Sequence, residues 1–323
     1  MSIDILNIQP SVISRDLRGK YVLLYGKPKS GKTTAACSFP NSLLIAFEKG
    51  YNALGGVRAV DITKWSEFKN VLRQLEKPEA REMYETIIID TISIAWDYCE
   101  QFICIQNGVQ KISDIGWGAG YTGCKKEFEG ALRKITMLGY GIVLISHSAT
   151  RTEKTADGSE VEIIFPEMPK RASEICNGLV DIIGYIGGEY DENGNFTRYL
   201  YTRETPTLFA GSRFKYLPPK IKFGYNELVE AIADAINMAE KQDGVKVVDK
   251  ADLTPVSEKL DFTAVRAEAL DLWTKLVGEN EENANIILKK IEMIMGHRMK
   301  LSEFTEDQTD LMQLVVLEMR DMN

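Results

Sequence analysis

The sequence is poor in the side chains that build metal and disulfide sites. Its 323 residues contain two histidines, His147 and His297, and five cysteines, no two of which form a C-x-x-C pair. Zinc sites take clustered Cys and His ligands, and disulfide frameworks need paired cysteines in an oxidising compartment. We therefore expect reduced, mostly buried thiols, with neither a Cys/His zinc site nor a disulfide framework.

Long hydrophobic runs are also missing. No apolar stretch approaches the ~18 residues that a membrane-spanning helix requires. The opening residues MSIDILNIQPSVISRDLRGK lack the basic start, apolar middle and small-residue cleavage site of a signal peptide. The sequence therefore predicts a cytoplasmic protein without a membrane partner.

Basic charge is in deficit, with 39 Lys+Arg against 47 Asp+Glu and a net charge of −8. Residues 258–323 alone hold eight basic and fourteen acidic side chains. This balance excludes a globally basic nucleic-acid binder but permits local basic patches.

One such patch is the segment 198–222, which has six basic residues and a single acid, Glu204, with five aromatic residues interleaved. Cations that pair with phosphate, set among rings that stack on bases, suit single-stranded nucleic acid or the nucleotide of a neighbouring subunit. The alternative is a polar strand face whose aromatic side chains lie in the core. The residues are Arg198, Arg203, Arg213, Lys215, Lys220, Lys222, Tyr199, Tyr201, Phe209, Phe214 and Tyr216.

The most specific motif is GKPKSGKT at residues 26–33, which fits the phosphate-loop pattern G-x-x-x-x-G-K-[ST]. An apolar run of strand length, YVLLYG, precedes it, and KTTAACSF can start a helix. Backbone N–H groups of such a loop wrap a phosphate, while Lys32 would neutralise β/γ-phosphate charge and Thr33 would supply a hydroxyl to Mg²⁺. The motif predicts ATP and Mg²⁺ as cofactors. The predicted binding residues are Gly26, Lys27, Pro28, Lys29, Ser30, Gly31, Lys32, Thr33 and Thr34.

Strand and helix patterns alternate through the following residues, and each strand is a continuous Val/Ile/Leu run. This pattern indicates an α/β fold with a parallel sheet covered on both faces. Within residues 179–204, two strands joined by a turn at 191–195 predict that one side of the sheet becomes antiparallel. Residues 151–164 are polar and turn-rich, which predicts a loop.

Three polar side chains end predicted strands of this sheet. Asp90 ends TIIID, 57 residues after Thr33, which is typical of the acid that orients Mg²⁺. Glu48 ends LLIAFE, where a carboxylate can orient the water that attacks the γ-phosphate or can simply be a solvated strand end. His147 ends GIVLISH, where an imidazole can sense the γ-phosphate or be structural.

The C-terminal sequence has apolar residues at helical spacing. Three amphipathic helices are predicted near 258–277, 281–296 and 306–321. We therefore divide the chain into an N-terminal arm (1–18), an ATPase core (19–241), a linker (242–257) and an acidic three-helix domain (258–323).

Residues 19–222 resemble the RecA-like ATPases of bacteriophages, a group that includes phage single-strand annealing proteins related to the RecA recombinases. The resemblance rests on GKPKSGKT, LLIAFEKG, TIIIDT, GIVLISHS and GSRFKYLP, in that order. It implies a RecA-like P-loop NTPase core with a mainly parallel sheet, followed here by a small C-terminal helical domain. It also implies Mg²⁺-dependent ATP hydrolysis.

The resemblance also implies roles for particular residues. Glu48 would be the catalytic carboxylate, assisted by Lys32, Asp90 would orient Mg²⁺, and His147 would sense the γ-phosphate. Arg213 would be an arginine finger, acting in cis or across a subunit contact. The segments 107–125 and 149–169 correspond to the DNA-binding loops of the recombinases.

These implications predict a phage recombination protein that binds and hydrolyses ATP and acts on single-stranded DNA in the host cytoplasm. A homo-oligomer and contacts with phage single-strand-binding or replication proteins are expected. Two alternatives stay open. One is a helicase-type or packaging-type motor, and the other is a nucleotide-gated binding module of phage replication with little turnover.

Overall fold

The computed structural model describes residues 10–154, 158–252 and 260–322. The chain forms two compact units, one of residues Pro10–Val256 and one that includes Ser257–Asn323. The predicted N-terminal arm and linker therefore lie partly outside the described residues. Among those described, no helix is long and apolar enough to cross a lipid bilayer.

The first unit alternates strands and helices along the chain. Its strands are β1 Ile13–Ser14, β2 Tyr21–Gly26, β3 Ser42–Ala46, β4 Ala59–Asp61, β5 Thr86–Asp90, β6 Gly141–Lys154, β7 Glu160–Pro166, β8 Ile182–Tyr190, β9 Phe196–Tyr201, β10 Gly211–Ser212, β11 Lys220–Lys222 and β12 Val247–Val248. Its helices are α1 Lys32–Cys37, α2 Trp65–Leu75, α3 Pro78–Met83, α4 Ile92–Gln106, α5 Ala119–Met137, α6 Lys170–Leu179 and α7 Tyr225–Asp243.

The main sheet has the strand order β11-β9-β8-β2-β6-β5-β3-β4. Strands β8 to β4 in this order are parallel, and β9 and β11 extend the sheet antiparallel to their neighbours. The carboxylate of Asp191 closes the β8–β9 turn by accepting hydrogen bonds from the backbone N–H groups of Asn193 and Asn195. A mainly parallel sheet with one antiparallel side confirms the predicted α/β core.

Both faces of the sheet are covered because its strands are apolar on both sides. Along β2, Leu23 packs in a cluster with α2, α4, α5 and α6, whereas Val22 and Leu24 pack in a second cluster with α1 and α7. All three side chains are buried. The carboxyl ends of the parallel strands are left as one open edge, where ligands of α/β proteins bind.

The predicted loop at 151–164 is wrong over most of its length. Strand β6 runs on to Lys154 and pairs antiparallel with β7, so that Arg151 lies opposite Ile163 and Lys154 opposite Glu160. Thr150 and Thr152 are β-branched and favour strand geometry despite their polarity. The segment that follows His147 is therefore a β-hairpin, whose residues 155–157 lie outside the described part.

The ends of the first unit pair with each other. In the described part of the predicted arm, Ile13 lies opposite Val247 in a short parallel sheet made by β1 and β12. Arg15 strengthens this contact through ion pairs with Glu240 at 2.7 Å and Asp249 at 3.0 Å. Residues 247–249, which the sequence assigned to a linker, therefore belong to the first unit.

The described part of the second unit contains α8 Phe262–Glu279, α9 Glu282–Met295 and α10 Thr309–Arg320, with short 3-10 helices at Leu301–Glu303 and Glu306–Gln308. The three predicted amphipathic helices are confirmed. The Asp261 carboxylate caps α8 by accepting from the N–H groups of Thr263 and Ala264. The helices share one core, formed among others by Val265, Leu276, Ile287, Ile291 and Val315.

Candidate nucleotide site

The phosphate loop connects the carboxyl end of β2 to the start of α1. Two of its glycines are required by space or by conformation. A Cβ on Gly26 would lie 2.7 Å from the carbonyl oxygen of Ile186 in β8. Gly31 has a φ of 94°, and its Cβ would lie 3.2 Å from the Phe223 ring. Any larger side chain at either position would therefore strain the loop.

Lys32 is buried at the start of α1. Its ammonium donates hydrogen bonds to the carbonyl oxygens of Gly26 and Lys27, each at 2.9 Å. Burial lowers the pKa of Lys32, and the negative charges of Asp90 and Glu48 oppose this shift. The site thus holds a cation that is only partly compensated, as a phosphate-binding position requires.

Thr33 and Asp90 meet across the junction between α1 and β5. The Thr33 hydroxyl donates to Oδ2 of Asp90 at 2.7 Å, and Asp90 is only 6% exposed. Burial raises the pKa of Asp90, the Thr33 hydrogen bond counteracts it, and Glu48 adds to the increase. A hydroxyl and an incompletely compensated carboxylate, side by side, suit Mg²⁺, which binds through few protein oxygens and keeps waters and phosphate oxygens.

Glu48 and His147 lie at the same edge. Gly26 and His147 are register partners on the neighbouring strands β2 and β6, and the Glu48 N–H donates to the Asp90 carbonyl at 3.1 Å. Nε2 of His147 lies 3.3 Å from Oε2 of Glu48. His147 Nδ1 is buried and has no partner among the described residues.

Arg213, expected as a finger in cis or across a subunit contact, lies away from the phosphate loop of its own chain. Its guanidinium donates to the carbonyl oxygen of Gly178 at 2.7 Å and to the Asp181 carboxylate at 3.1 Å. The preceding residue, Ser212, pairs with Ile182 at the amino end of β8. The Arg213 N–H donates to the carbonyl oxygen of Asp181, whereas the phosphate loop begins at Gly26, opposite Ile186. Five residues of strand separate Asp181 from Ile186, which is about 17 Å. Arg213 therefore does not reach the phosphate loop of its own chain in this conformation.

A cavity of about 480 Å³ opens beside α1. Thr34 and Ser38 line one wall, and residues 53–58 line the other, ending in Arg58. Thr34 follows the phosphate loop directly, and the cavity extends from there along α1 to Phe39, Asn41 and Ser42, at the amino end of β3. The sequence did not single out residues 53–58, because only their position after Glu48 connects them with the site.

Another feature that the sequence missed is Trp117. Its side chain is fully exposed, and its φ of 58° places it in the left-handed region between Gly116 and Gly118. It precedes α5, which leads into β6 at the amino edge, so the start of α5 lies toward the carboxyl edge. Nearby, the guanidinium carbon of Arg171, at the start of α6, lies 4.5 Å from the ring centroid of Tyr121 in the first turn of α5.

Comparison with known proteins assigns the chain to a family. A model of the AAA domain matches residues 18–214, which include the phosphate loop, Glu48, Asp90 and His147. The chain belongs to the AAA domain family of P-loop ATPases. It is also 30% identical over 334 aligned positions to the SPbeta prophage-derived uncharacterized protein YorG of Bacillus subtilis strain 168, covering 100% of this chain and 99% of that protein.

Among solved structures, the flagellar accessory protein FlaH from Methanocaldococcus jannaschii is similar, with a TM-score of 0.35 and 10% identity. The similarity covers 64% of this chain and 85% of FlaH. The AAA domain assignment rests on the sequence match and on the P-loop core described above.

Proposed function

We propose that this AAA domain protein binds ATP with Mg²⁺, hydrolyses it, and couples hydrolysis to single-stranded DNA in phage recombination. One observation carries the proposal. Lys32, Thr33, Asp90, Glu48 and His147 come from four different segments, and all lie at the carboxyl edge of the sheet around the phosphate loop.

The proposed roles follow from the chemistry of each group. The loop N–H groups and the Lys32 ammonium bind the phosphates, and the Thr33 hydroxyl and Asp90 carboxylate hold Mg²⁺. The bound ion supplies charge neutralisation on the phosphate oxygens. Glu48, with a side chain 44% exposed, is accessible to a water molecule that it can orient and deprotonate.

His147 connects this chemistry with the hairpin. Its imidazole Nε2 lies within hydrogen-bond distance of the Glu48 carboxylate. Its carbonyl oxygen accepts a hydrogen bond from the N–H of Glu167 at 2.8 Å. The strand β6 continues from His147 directly into the hairpin arm. A γ-phosphate that competes for Nε2 would release Glu48 and shift the base of the hairpin at the same time.

The DNA part of the proposal has separate support. Trp117 and the β6–β7 hairpin belong to the two segments that correspond to recombinase DNA loops. Trp117 presents a whole indole to solvent, and in the hairpin Arg151 lies 4.9 Å from the Phe165 ring. Exposed rings and cations of this kind bind unpaired bases and phosphates. The prophage origin of the relative YorG supports a role in phage DNA metabolism, within the host cytoplasm and alongside phage single-strand-binding or replication proteins.

The test is the ATPase rate of the full chain with and without single-stranded DNA, combined with a strand-annealing assay. Stimulated hydrolysis together with annealing supports the proposal. Processive translocation would instead assign the protein to the motors. Negligible turnover under all conditions would leave a nucleotide-gated binding module.

A further inference from the structure

The antiparallel side of the main sheet presents a row of aromatic and basic side chains on one face. We call this surface the tyrosine face. It consists of Tyr185 on β8, Tyr199 and Tyr201 on β9, and Lys220 and Lys222 on β11.

Strand register puts these side chains on the same face. Tyr201 lies opposite both Tyr185 and Lys220, so these three residues form one row across the strands. Two residues further along β9, Tyr199 lies opposite both Gly187 and Lys222 in a second row. Residues two apart on a strand share a face. The intervening Ile186 and Leu200 are buried in the core, so the tyrosine face points the other way.

The rings lie side by side and close to the strands. The ring centroids of Tyr185 and Tyr201 are 5.9 Å apart. A Cβ on Gly187 would lie 2.7 Å from the Tyr185 ring and 3.0 Å from the Tyr201 ring, so the absence of a side chain there makes room for both. All three tyrosines remain partly exposed.

The polar atoms of this surface are oriented by Glu189. Its carboxylate accepts a hydrogen bond from the Tyr201 hydroxyl at 2.6 Å and forms an ion pair with the ammonium of Lys220. Lys220 also lies 4.0 Å from the Tyr199 ring centroid. Lys222 is exposed in the second row. Within segment 198–222 as a whole, six basic residues occur with one acid in a chain of net charge −8.

We propose that the tyrosine face binds single-stranded nucleic acid, with unpaired bases stacking on the exposed parts of the Tyr199 and Tyr201 rings and a phosphate pairing with Lys222. Flat aromatic rings on neighbouring strands are a way in which sheets bind unpaired bases. On this face Lys220 and Lys222 outnumber Glu189 by one, so it carries a net positive charge in a chain of net charge −8, which complements a phosphate backbone. The inference rests on the proposed function for the kind of polymer, but it names a surface separate from the phosphate loop.

The binding test uses fluorescence anisotropy of a labelled 25-nucleotide oligo(dT) with the full chain, without nucleotide. We expect Tyr199→Leu to weaken binding about tenfold, because one stacking base is lost. Tyr199→Phe keeps the ring and should bind within about twofold of wild type. Phe196→Leu is the matched control. Phe196 is half-exposed on the same strand as Tyr199, but its side chain lies on the opposite face of the sheet. Melting temperatures of all variants establish that they fold.

A salt series supplies a second readout. Lys222→Gln should reduce the slope of log affinity against log salt by about 0.7, the value for one phosphate contact on a single strand. An oligo(rU) of the same length distinguishes RNA from DNA as the natural polymer, and binding of either one supports the stacking surface. A folded Tyr199→Leu variant that binds both oligomers as tightly as wild type would overturn the proposal.

The same series separates this inference from the proposed function. If the wild-type chain hydrolyses no ATP but Tyr199→Leu still lowers oligonucleotide binding, the tyrosine face stands and the ATPase proposal fails. If DNA-stimulated hydrolysis is normal and Tyr199→Leu changes neither binding nor stimulation, the tyrosine face fails alone. The wild-type chain could instead self-associate as its concentration rises. If Tyr199→Leu abolishes that association and leaves oligonucleotide binding unchanged, the tyrosine face is a contact between copies of the chain, and the nucleic-acid proposal is overturned.

Discussion

Nε2 of His147 lies 3.3 Å from Oε2 of Glu48, although 99 residues separate them in the chain. The contact joins His147, in the middle of β6, to the loop that follows β3, across β5. It holds the proposed catalytic carboxylate beside the proposed γ-phosphate sensor. This pair leads directly to the first prediction.

Replacing Glu48 with Gln should separate binding from chemistry. The amide keeps the shape and the contact with His147 but cannot accept a proton, so turnover should fall by about 10²-fold or more while ATP affinity is retained. Steady-state hydrolysis and nucleotide titration measure the two quantities. The matched control is Glu67→Gln, a partly exposed carboxylate at the start of α2 that accepts the Thr63 N–H. Normal turnover of Glu48→Gln, with loss in another acid variant, would reassign the base.

Lys32→Ala should abolish tight ATP binding. The substitution removes the ammonium that now contacts the Gly26 and Lys27 carbonyls, and leaves the phosphate charge uncompensated. Isothermal titration of the full chain with ATP and Mg²⁺ checks this. Lys241→Ala, an exposed lysine in α7 far along the chain from the loop, serves as the control for general charge loss. Undiminished affinity in Lys32→Ala would contradict the phosphate-loop assignment.

Much of this site could be predicted from sequence because of one rule of geometry. Glu48, Asp90 and His147 each follow an apolar strand, and parallel strands end at the same edge. Arg213 shows the limit of that reasoning. The edge of the sheet at which Arg213 lies depends on the antiparallel pairing of β10 with the start of β8. A strand of two residues has no sequence pattern from which that pairing could be predicted.

Other elements escaped prediction for different reasons. Residues 150–154, the outer arm of β6 in the β6–β7 hairpin, are polar on both faces, so neither alternation nor an apolar run marks this arm. The pairing of Ile13 with Val247 joins residues more than two hundred positions apart, and a two-residue contact carries no periodic signal. Trp117 reads as an ordinary aromatic residue until its exposure is known.

Asp90→Asn should stabilise the protein while impairing its function. Burial raises the folded-state pKa of Asp90, so the ionised form is disfavoured in the folded protein and costs stability above that pKa. The neutral amide removes this cost, and its oxygen can still accept the Thr33 hydroxyl. Without Mg²⁺ and nucleotide, the melting temperature of Asp90→Asn at pH 7 should exceed that of wild type.

The difference in melting temperature between Asp90→Asn and wild type should depend on pH. As pH falls through the raised folded pKa toward the ordinary value of 3.8, Asp90 becomes protonated and the wild-type penalty disappears. The difference in melting temperature should therefore shrink on acidification. Mg²⁺-dependent ATP binding should be weaker in Asp90→Asn at pH 7. A variant that is less stable than wild type at every pH would contradict the burial argument.

Arg213→Gln should lower stability without lowering turnover in a single chain. The guanidinium ties β10 to Gly178 and Asp181, and losing these partly exposed hydrogen bonds should cost about 1 kcal/mol. Chemical denaturation measures the cost, and hydrolysis per folded molecule is compared at several protein concentrations. Unchanged turnover at all concentrations is the expected result. A loss that appears only as concentration rises would instead give Arg213 a role across a subunit contact.

The last prediction concerns the acidic second unit. Its helices have their own buried core, and residues 258–323 carry six of the eight net negative charges of the chain. Such a unit is a poor direct ligand for DNA phosphate, but it can compete electrostatically with DNA for the basic segment 198–222. A chain ending at Val256 keeps the β1–β12 pairing and should still fold and bind ATP. It should bind single-stranded DNA more tightly than the full chain, with the largest difference at low salt, because screening weakens the competition as ionic strength rises. Oligonucleotide titrations of both chains between low and moderate salt measure this difference. Equal or weaker binding by a folded truncated chain would rule out competition and leave partner docking or dimerisation as the role of the helices.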